Sequence, residues 1–204
     1  MASSVFGTPV TDAMLRKMPE YQGKNSISQQ DRAKVALDKV NAEGKSLDAR
    51  NLLEKLQTRF GGTDLVSTMC LIYNATGASM TFVIAQDWKG RLCESAYPVI
   101  IANGQWGVFL HGQYYGGSSE KCSRAGIVYS ALNNEGTEKH WFMEIREPGH
   151  YDPNNKGVWT ALDGHLRDGK LVHQANENGG YVSGSIGNTG YPIFEAIMTL
   201  PEAI

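Results

Sequence analysis

From Leu65 onward apolar and polar positions alternate with a period of two, the spacing of strands that bury one face. The pattern predicts strands at Ser67–Tyr73, Met80–Gln86, Tyr97–Ala102, Trp106–His111, Ala125–Ala131, His140–Ile145, Gly157–Ala161, Leu171–Gln174 and Ile193–Thr199. Between them lie turn signals rich in Asn, Asp and Gly, at Asn74 to Gly77, Lys89-Gly90, Asn103-Gly104, Asn133 to Gly136, Asp168-Gly169 and Asn176 to Gly180. The clearest stretch is YPVIIANGQWGVFLHG, Tyr97 to Gly112, an apolar strand, an Asn-Gly turn and a second strand carrying Trp106, Val108 and Leu110. No helical pattern of ten to fifteen residues separates the strands, which argues against a parallel α/β sheet.

Before residue 62 the period is helical. Residues 1–26, punctuated by Ser, Gly and Pro, read as an extended arm. Ser28 then offers an N-cap, with Asp31 placed to complete a weaker form of the capping box. Ala33, Ala36, Leu37 and Val40 follow at helical spacing, and Gly44 stands where a C-terminal cap belongs. A second helix, starting near Leu47 or Asp48, carries Ala49, Leu52, Leu53, Leu56 and Phe60 on one stripe and ends at Gly61-Gly62. The short link predicts an antiparallel helical hairpin that must dock on the β-region, because it cannot bury both faces alone. The expected architecture is mainly β: an antiparallel β-sandwich over residues 63–204, with an arm and helical hairpin over residues 1–62, forming one compact unit.

Composition narrows the function classes. The chain has 204 residues, 41% hydrophobic and 20% charged, with a formal net charge of −2. That balance gives no electrostatic reason to expect a nucleic-acid partner or attraction to an anionic membrane. The N-terminal residues lack the basic and apolar regions of a secretory signal, and no run approaches the roughly 18 apolar residues of a membrane span. Cys70, Cys93 and Cys122 are odd in number and far apart, which fits a reducing compartment better than a disulfide framework. A cytoplasmic or nucleocytoplasmic protein is expected, with the sequon Asn74-Ala75-Thr76 left bare.

Chemistry is sparsely signalled. His111, His140, His150, His165 and His173 form no metal-binding spacing with one another or with cysteine, so neither metal nor cofactor is expected. Glu147-Pro-Gly-His150-Tyr-Asp152 gathers two carboxylates and a histidine, and a hydrolase or lyase could use His150 with Asp152 or Glu147. The plainer reading is a polar turn through Asp152-Pro153-Asn-Asn155. Gly184-Ser185-Ile-Gly187 is not a nucleophile elbow, and the glycine pairs do not form a phosphate loop. Cys70 reads as a buried small hydrophobe, whereas Cys93 and Cys122, near Arg91 and Lys121, are candidates for mildly activated thiols.

Aromatic residues beside short polar ones are more suggestive. Trp106 and Trp141 lie on predicted strands and are expected in the sandwich core. Trp88, Tyr114, Tyr115, His150, Tyr151 and Asp152 are expected in loops or at strand ends, as the exposed ligand-binding set. Flat rings stack on the apolar face of a sugar while small polar groups bond its hydroxyls, and the same residues would suit a phospholipid headgroup. The expected function is therefore non-enzymatic binding of a glycan or another polar small molecule. A third reading is a storage or interaction protein whose helical hairpin dimerises through an exposed stripe at Leu53 or Leu56.

The segments VFGTPVTDAML, KVNAEGKS, CLIYNATGAS, DWKG, YPVIIANGQWGVFLHG and AGIVYSAL, in that order, resemble the jasmonate-induced protein family of plants, best from Cys70 to Ala131. The resemblance implies a cytosolic or nucleocytoplasmic stress or defence protein and carries no catalytic residues with it. A looser order of residue types, Pro98, Asn103-Gly104, Gly107, Phe109, Gly126 to Tyr129, Trp141 and Pro148, resembles the actinoporin-like sandwich of sea-anemone cytolysins and fungal fruit-body lectins. It implies a lectin-like module with one rim that binds glycan or phosphocholine.

Overall fold

The structure is a computed structural model that describes residues 4–60, 65–114, 123–132, 136–146, 172–177, 180–186 and 192–204. The chain opens with β1 (Val5–Phe6), a one-turn helix α1 (Asp12–Leu15) and a 3-10 turn at Pro19–Tyr21. Helices α2 (Gln29–Asp38) and α3 (Lys45–Phe60) follow. The capping box that starts α2 is complete: Asp31 N–H donates to Ser28 Oγ at 3.1 Å, and Ser28 N–H to Asp31 Oδ2 at 3.0 Å. The link between the helices turns at Glu43 and Gly44, both left-handed, with φ of 62° and 67°. Glycine makes such a turn without strain, so α3 starts directly after it, two residues ahead of Leu47.

The strands are β2 (Leu65–Ala75), β3 (Met80–Lys89), β4 (Arg91–Leu92), β5 (Ile100–Ile101), β6 (Trp106–Tyr114), β7 (Arg124–Leu132), β8 (Glu138–Arg146), β9 (Val172–Glu177), β10 (Gly180–Ile186) and β11 (Ile193–Thr199). They form a seven-stranded sheet, ordered β1-β6-β2-β11-β10-β9 with β4 also on β6, and a four-stranded sheet ordered β5-β3-β7-β8. The pairing is antiparallel except that β2 and β11, paired at Cys70↔Phe194 and its neighbours in register, run parallel. The expected mainly β, antiparallel sandwich is thus found, with one parallel seam at its centre. The predicted strand at Tyr97–Ala102 shrinks to two residues, and Gly157–Ala161 lies outside the described residues.

Three layers result, with an apolar core on each side of the large sheet. Alternation in β6 and β2 explains how. Trp106, Val108 and Leu110 with Met69, Leu71 and Tyr73 face the N-terminal layer, where Val10, Leu15, Tyr21, Val35, Ala36, Ala49 and Leu53 meet them. Phe109, Cys70 and Ile72 point the other way and pack with Met80, Ile101, Ile127, Tyr129, Phe194 and Met198 between the sheets. Each large apolar side chain so buried contributes about 2 kcal/mol. Trp106 is fully buried, but in the helix–sheet core rather than between the sheets. Residues 4–26 are no extended arm: their apolar side chains help to build that core, and β1 extends the sheet. Leu53 is fully buried and Leu56 packs against the same cluster, so neither offers the exposed stripe for dimerisation.

Candidate functional site

The two rims of the sandwich differ. One is closed by the N-terminal layer through buried amides. Asn74 Nδ2 donates to Ala78 O at 2.8 Å and Ile101 O at 2.6 Å, while its Oδ1 accepts from Thr76 N–H at 2.9 Å and Thr76 Oγ1 at 2.8 Å. Asn103 Nδ2 reaches Val10 O and Arg32 O, and its Oδ1 accepts from Gly77 N–H. Gln29, at the start of α2, donates to Thr76 O and Leu132 O. Lys45 Nζ, almost wholly buried, donates to Tyr73 Oη at 2.9 Å and Gly104 O at 2.8 Å. Buried polar groups must find partners, and here backbone carbonyls of one layer are satisfied by side chains of the other. The Asn74-Ala75-Thr76 and Asn103-Gly104-Gln105-Trp106-Gly107 motifs are therefore joints of the fold. Asn74 and Thr76 have no exposed surface, so the folded protein cannot present the sequon for glycosylation.

At the other rim β3, β6, β8 and β10 end and β2, β7, β9 and β11 begin, as the registers Lys89↔Arg124↔Arg146, Arg91↔Gly112, Leu65↔Tyr114, Ser185↔Val172 and Ile186↔Phe194 require. Segments 61–64, 115–122, 147–171 and 187–191 connect to the described residues here. A bulge forms the nearby end of β3: Asp87 pairs with Ala125 and Lys89 with Arg124, leaving Trp88 as the extra residue. Trp88 is half-buried, and the Arg124 guanidinium lies 5.1 Å from its ring centroid. Beside it, Asp87 Oδ1 accepts from Tyr97 Oη at 3.0 Å and stands 3.3 Å from His111 Nε2. His111 Nδ1 is 2.7 Å from Ser123 Oγ, which also lies 3.2 Å from the carbonyl of His111. Burial holds the His111 imidazole below its ordinary pKa, against the upward pull of Asp87. A shallow hollow of about 230 Å³ opens next to this group, lined by Gly90, Arg91, Gly112 and Gln113. Its floor is glycine because β4 lies close on β6: a Cβ on Gly90 would come within 2.7 Å of the Gly112 carbonyl oxygen.

Of the sequence-predicted set, the structure places Trp88 and the backbone of Tyr114 at this rim. Tyr115, His150, Tyr151 and Asp152 lie outside the described residues, as do Glu147, Cys122 and the side chains of Tyr114 and Trp141. The hydrolase reading on His150 therefore rests on residues outside the described set. Cys93 is not an activated thiol. It is buried in the helix–sheet core, and burial raises its pKa more than Arg91 lowers it. Cys70 is buried as expected, its thiol pushed well up. Among the described residues no group of three or more His, Cys, Asp or Glu could hold a metal. Sequence reasoning passed over His111, Asp87 and Ser123, which are scattered along the chain and meet only through the two-sheet topology. Their one sequence signal is a histidine at an inward position of a buried strand.

Residues 6–201 match the model of the Nakanori-like protein family. The chain belongs to that family. It is 34% identical over 198 residues to the 23 kDa jasmonate-induced protein of Hordeum vulgare, covering 90% of both chains. The crystal structure of the lipid-binding protein Nakanori superposes with a TM-score of 0.69 at 25% identity, over 95% of this chain and 98% of that one. The likeness to the jasmonate-induced proteins and the β-rich fold are both shown by these matches. These relatives are named for induction or lipid binding, not for a catalytic activity. Among the described residues no helix is long and apolar enough to cross a membrane.

Proposed function

We propose that this protein is a non-enzymatic stress or defence protein that binds the polar surface of a lipid bilayer through its open rim. The observation that carries the reading is the bulge-borne Trp88 beside Arg124, at the rim where β3, β6, β8 and β10 end. An indole is suited to the headgroup level of a bilayer, and a guanidinium to phosphate. The lipid-binding character of the Nakanori relative supports a lipid over the glycan expected from sequence. Tyr114, Tyr115, His150, Tyr151 and Asp152 belong to the same proposed surface, since their segments start from this rim. Buried, unpaired Cys70 and Cys93 and the inaccessible sequon support a cytoplasmic setting.

The test is cosedimentation with phosphatidylcholine vesicles, with and without phosphatidylserine, beside a glycan array. Vesicle binding that falls at least about tenfold in Trp88→Ala, with the melting temperature kept, supports the reading. No binding to either vesicle, or a selective glycan signal that soluble sugar competes away, overturns it.

A further inference from the structure

We propose that His111, Ser123 and Asp87 form a proton-operated latch between the two sheets at the open rim. The proposal concerns regulation of the surface described above and rests on that reading only for its consequence in binding. His111 comes from β6 of the large sheet, Asp87 from β3 of the small one, and Ser123 from the residue before β7. His111 and Ser123 have no exposed surface, so no substrate reaches the serine and the trio is not a hydrolytic site.

The hydrogen-bond geometry fits two protonation states. With a neutral ring, the Ser123 hydroxyl donates to Nδ1 over 2.7 Å and the ring proton resides on Nε2. Nε2 then makes no aligned hydrogen bond to any described residue, although Asp87 Oδ1 stands 3.3 Å away. With a protonated ring, Nδ1–H donates to Ser123 Oγ. The hydroxyl proton turns to the His111 carbonyl 3.2 Å away, and Nε2–H⁺ closes on the carboxylate as an ion pair. One hydroxyl rotation thus serves Nδ1 in both states, the Nε2 pairing is gained only in the protonated one, and the proton taken up from solvent is the only atom added.

Among the described residues, the groups around the ring come from β2, β3, β4 and β7. Thr68 is its register partner on β2 and Leu92 on β4, and neither titrates. Asp87 on β3 is the charge that acts on it, and Tyr97 Oη donates to that carboxylate. Arg91 on β4, Lys89 on β3 and Arg124 on β7 are the cations of the same corner. Since Trp88 adjoins Asp87, closing the pair fixes the aromatic corner against the large sheet.

Long-range ¹H–¹⁵N NMR of the full chain from pH 7.5 to 4.5 tests this directly, with circular dichroism following the fold. The expected result is the Nε2–H tautomer at neutral pH and an imidazolium at low pH in folded protein. Asp87→Asn should lower the midpoint by about half a unit or more. An Nδ1–H tautomer at neutral pH, or no titration of His111 before unfolding, overturns the latch. The wild-type titration decides the matter even where Asp87→Asn fails to fold. Phosphatidylcholine vesicle binding should rise at least twofold from pH 7.5 to 5.5, and His111→Gln should remove the rise. Binding absent at both pH values defeats the lipid reading while the titration still decides the latch. Binding that rises equally in His111→Gln removes the regulatory role.

Discussion

Replacing Asn74 by alanine tests whether the closed rim is held by its buried amides. The side chain donates to two carbonyls and accepts from both the Thr76 N–H and the Thr76 hydroxyl, with no exposed surface on either residue. In Asn74→Ala the Thr76 N–H loses its acceptor, and the Ala78 and Ile101 carbonyls each lose a donor. The Thr76 hydroxyl can still reach Ala78 O at 3.1 Å, which limits the damage there. Each buried group left unsatisfied costs about 1–3 kcal/mol, so two such groups put the loss at about 2–6 kcal/mol. For a domain of this size that corresponds to a fall of about 10 °C in Tm. Thr76→Val removes only the hydroxyl and keeps the N–H bond, so about 1 kcal/mol is expected. Urea unfolding followed by fluorescence reports both, because Trp106 packs 4.8 Å from the Tyr73 ring in the adjoining core. An Asn74→Ala loss below about 1 kcal/mol, or a Thr76→Val loss equal to it, would refute the reasoning.

Gly77→Ala should cost about 3 kcal/mol or more in the same urea assay, since φ is +78° and the new Cβ would approach the Gln29 carbonyl oxygen to 2.1 Å. Cys93 should resist alkylation in the native protein and react once urea unfolds it; rapid native labelling would place the thiol outside the core. Because burial lowers the folded pKa of His111, the unfolded chain takes up its proton first. The associated stability is complete above about pH 6.5 and is lost as the pH falls from there toward the folded value. Asp87→Asn removes an upward pull and should deepen that acid loss in urea midpoints measured from pH 8 to 4.5; a shallower acid limb contradicts the assignment.

Local rules carried the strand and helix periods because each was written in a single segment. The N-cap at Ser28, the stripe through Ala49 and Leu53 and the alternation around Trp106 needed no distant partner to be read. What stayed hidden depended on contacts far apart in the chain. The β2–β11 pair is parallel because residues 193–199 return to the middle of the large sheet, which no local pattern encodes. Val10, Leu15 and Tyr21 look like punctuation in an arm until a second core exists to receive them. Trp106 has the same strand signature whichever core it faces, since β6 is buried on both sides. At the rim, Trp88 was legible as an aromatic beside turn residues. Its bulge and the His111–Asp87–Ser123 group were not, because they arise from register between strands.

The bulge at Trp88 separates a residue kept for packing from one kept for contact. Asp87 pairs with Ala125 and Lys89 with Arg124, so deleting Trp88 would let Asp87 and Lys89 follow each other as a regular ladder with no downstream shift in register. Trp88 is half-buried and lies outside the apolar clusters of both cores, and the Arg124 contact that its removal forfeits is worth about 1 kcal/mol or less where exposed. Regular pairing offsets part of that loss. A chain lacking Trp88 should therefore unfold within about 1 kcal/mol of the wild type and lose phosphatidylcholine vesicle binding. If the deletion instead unfolds the protein, the indole is structural and the rim has no aromatic anchor on β3. If it folds and binds vesicles undiminished, the contact lies elsewhere on the molecule. Only a stable chain without binding makes the irregular ladder the cost of aiming one indole at a ligand.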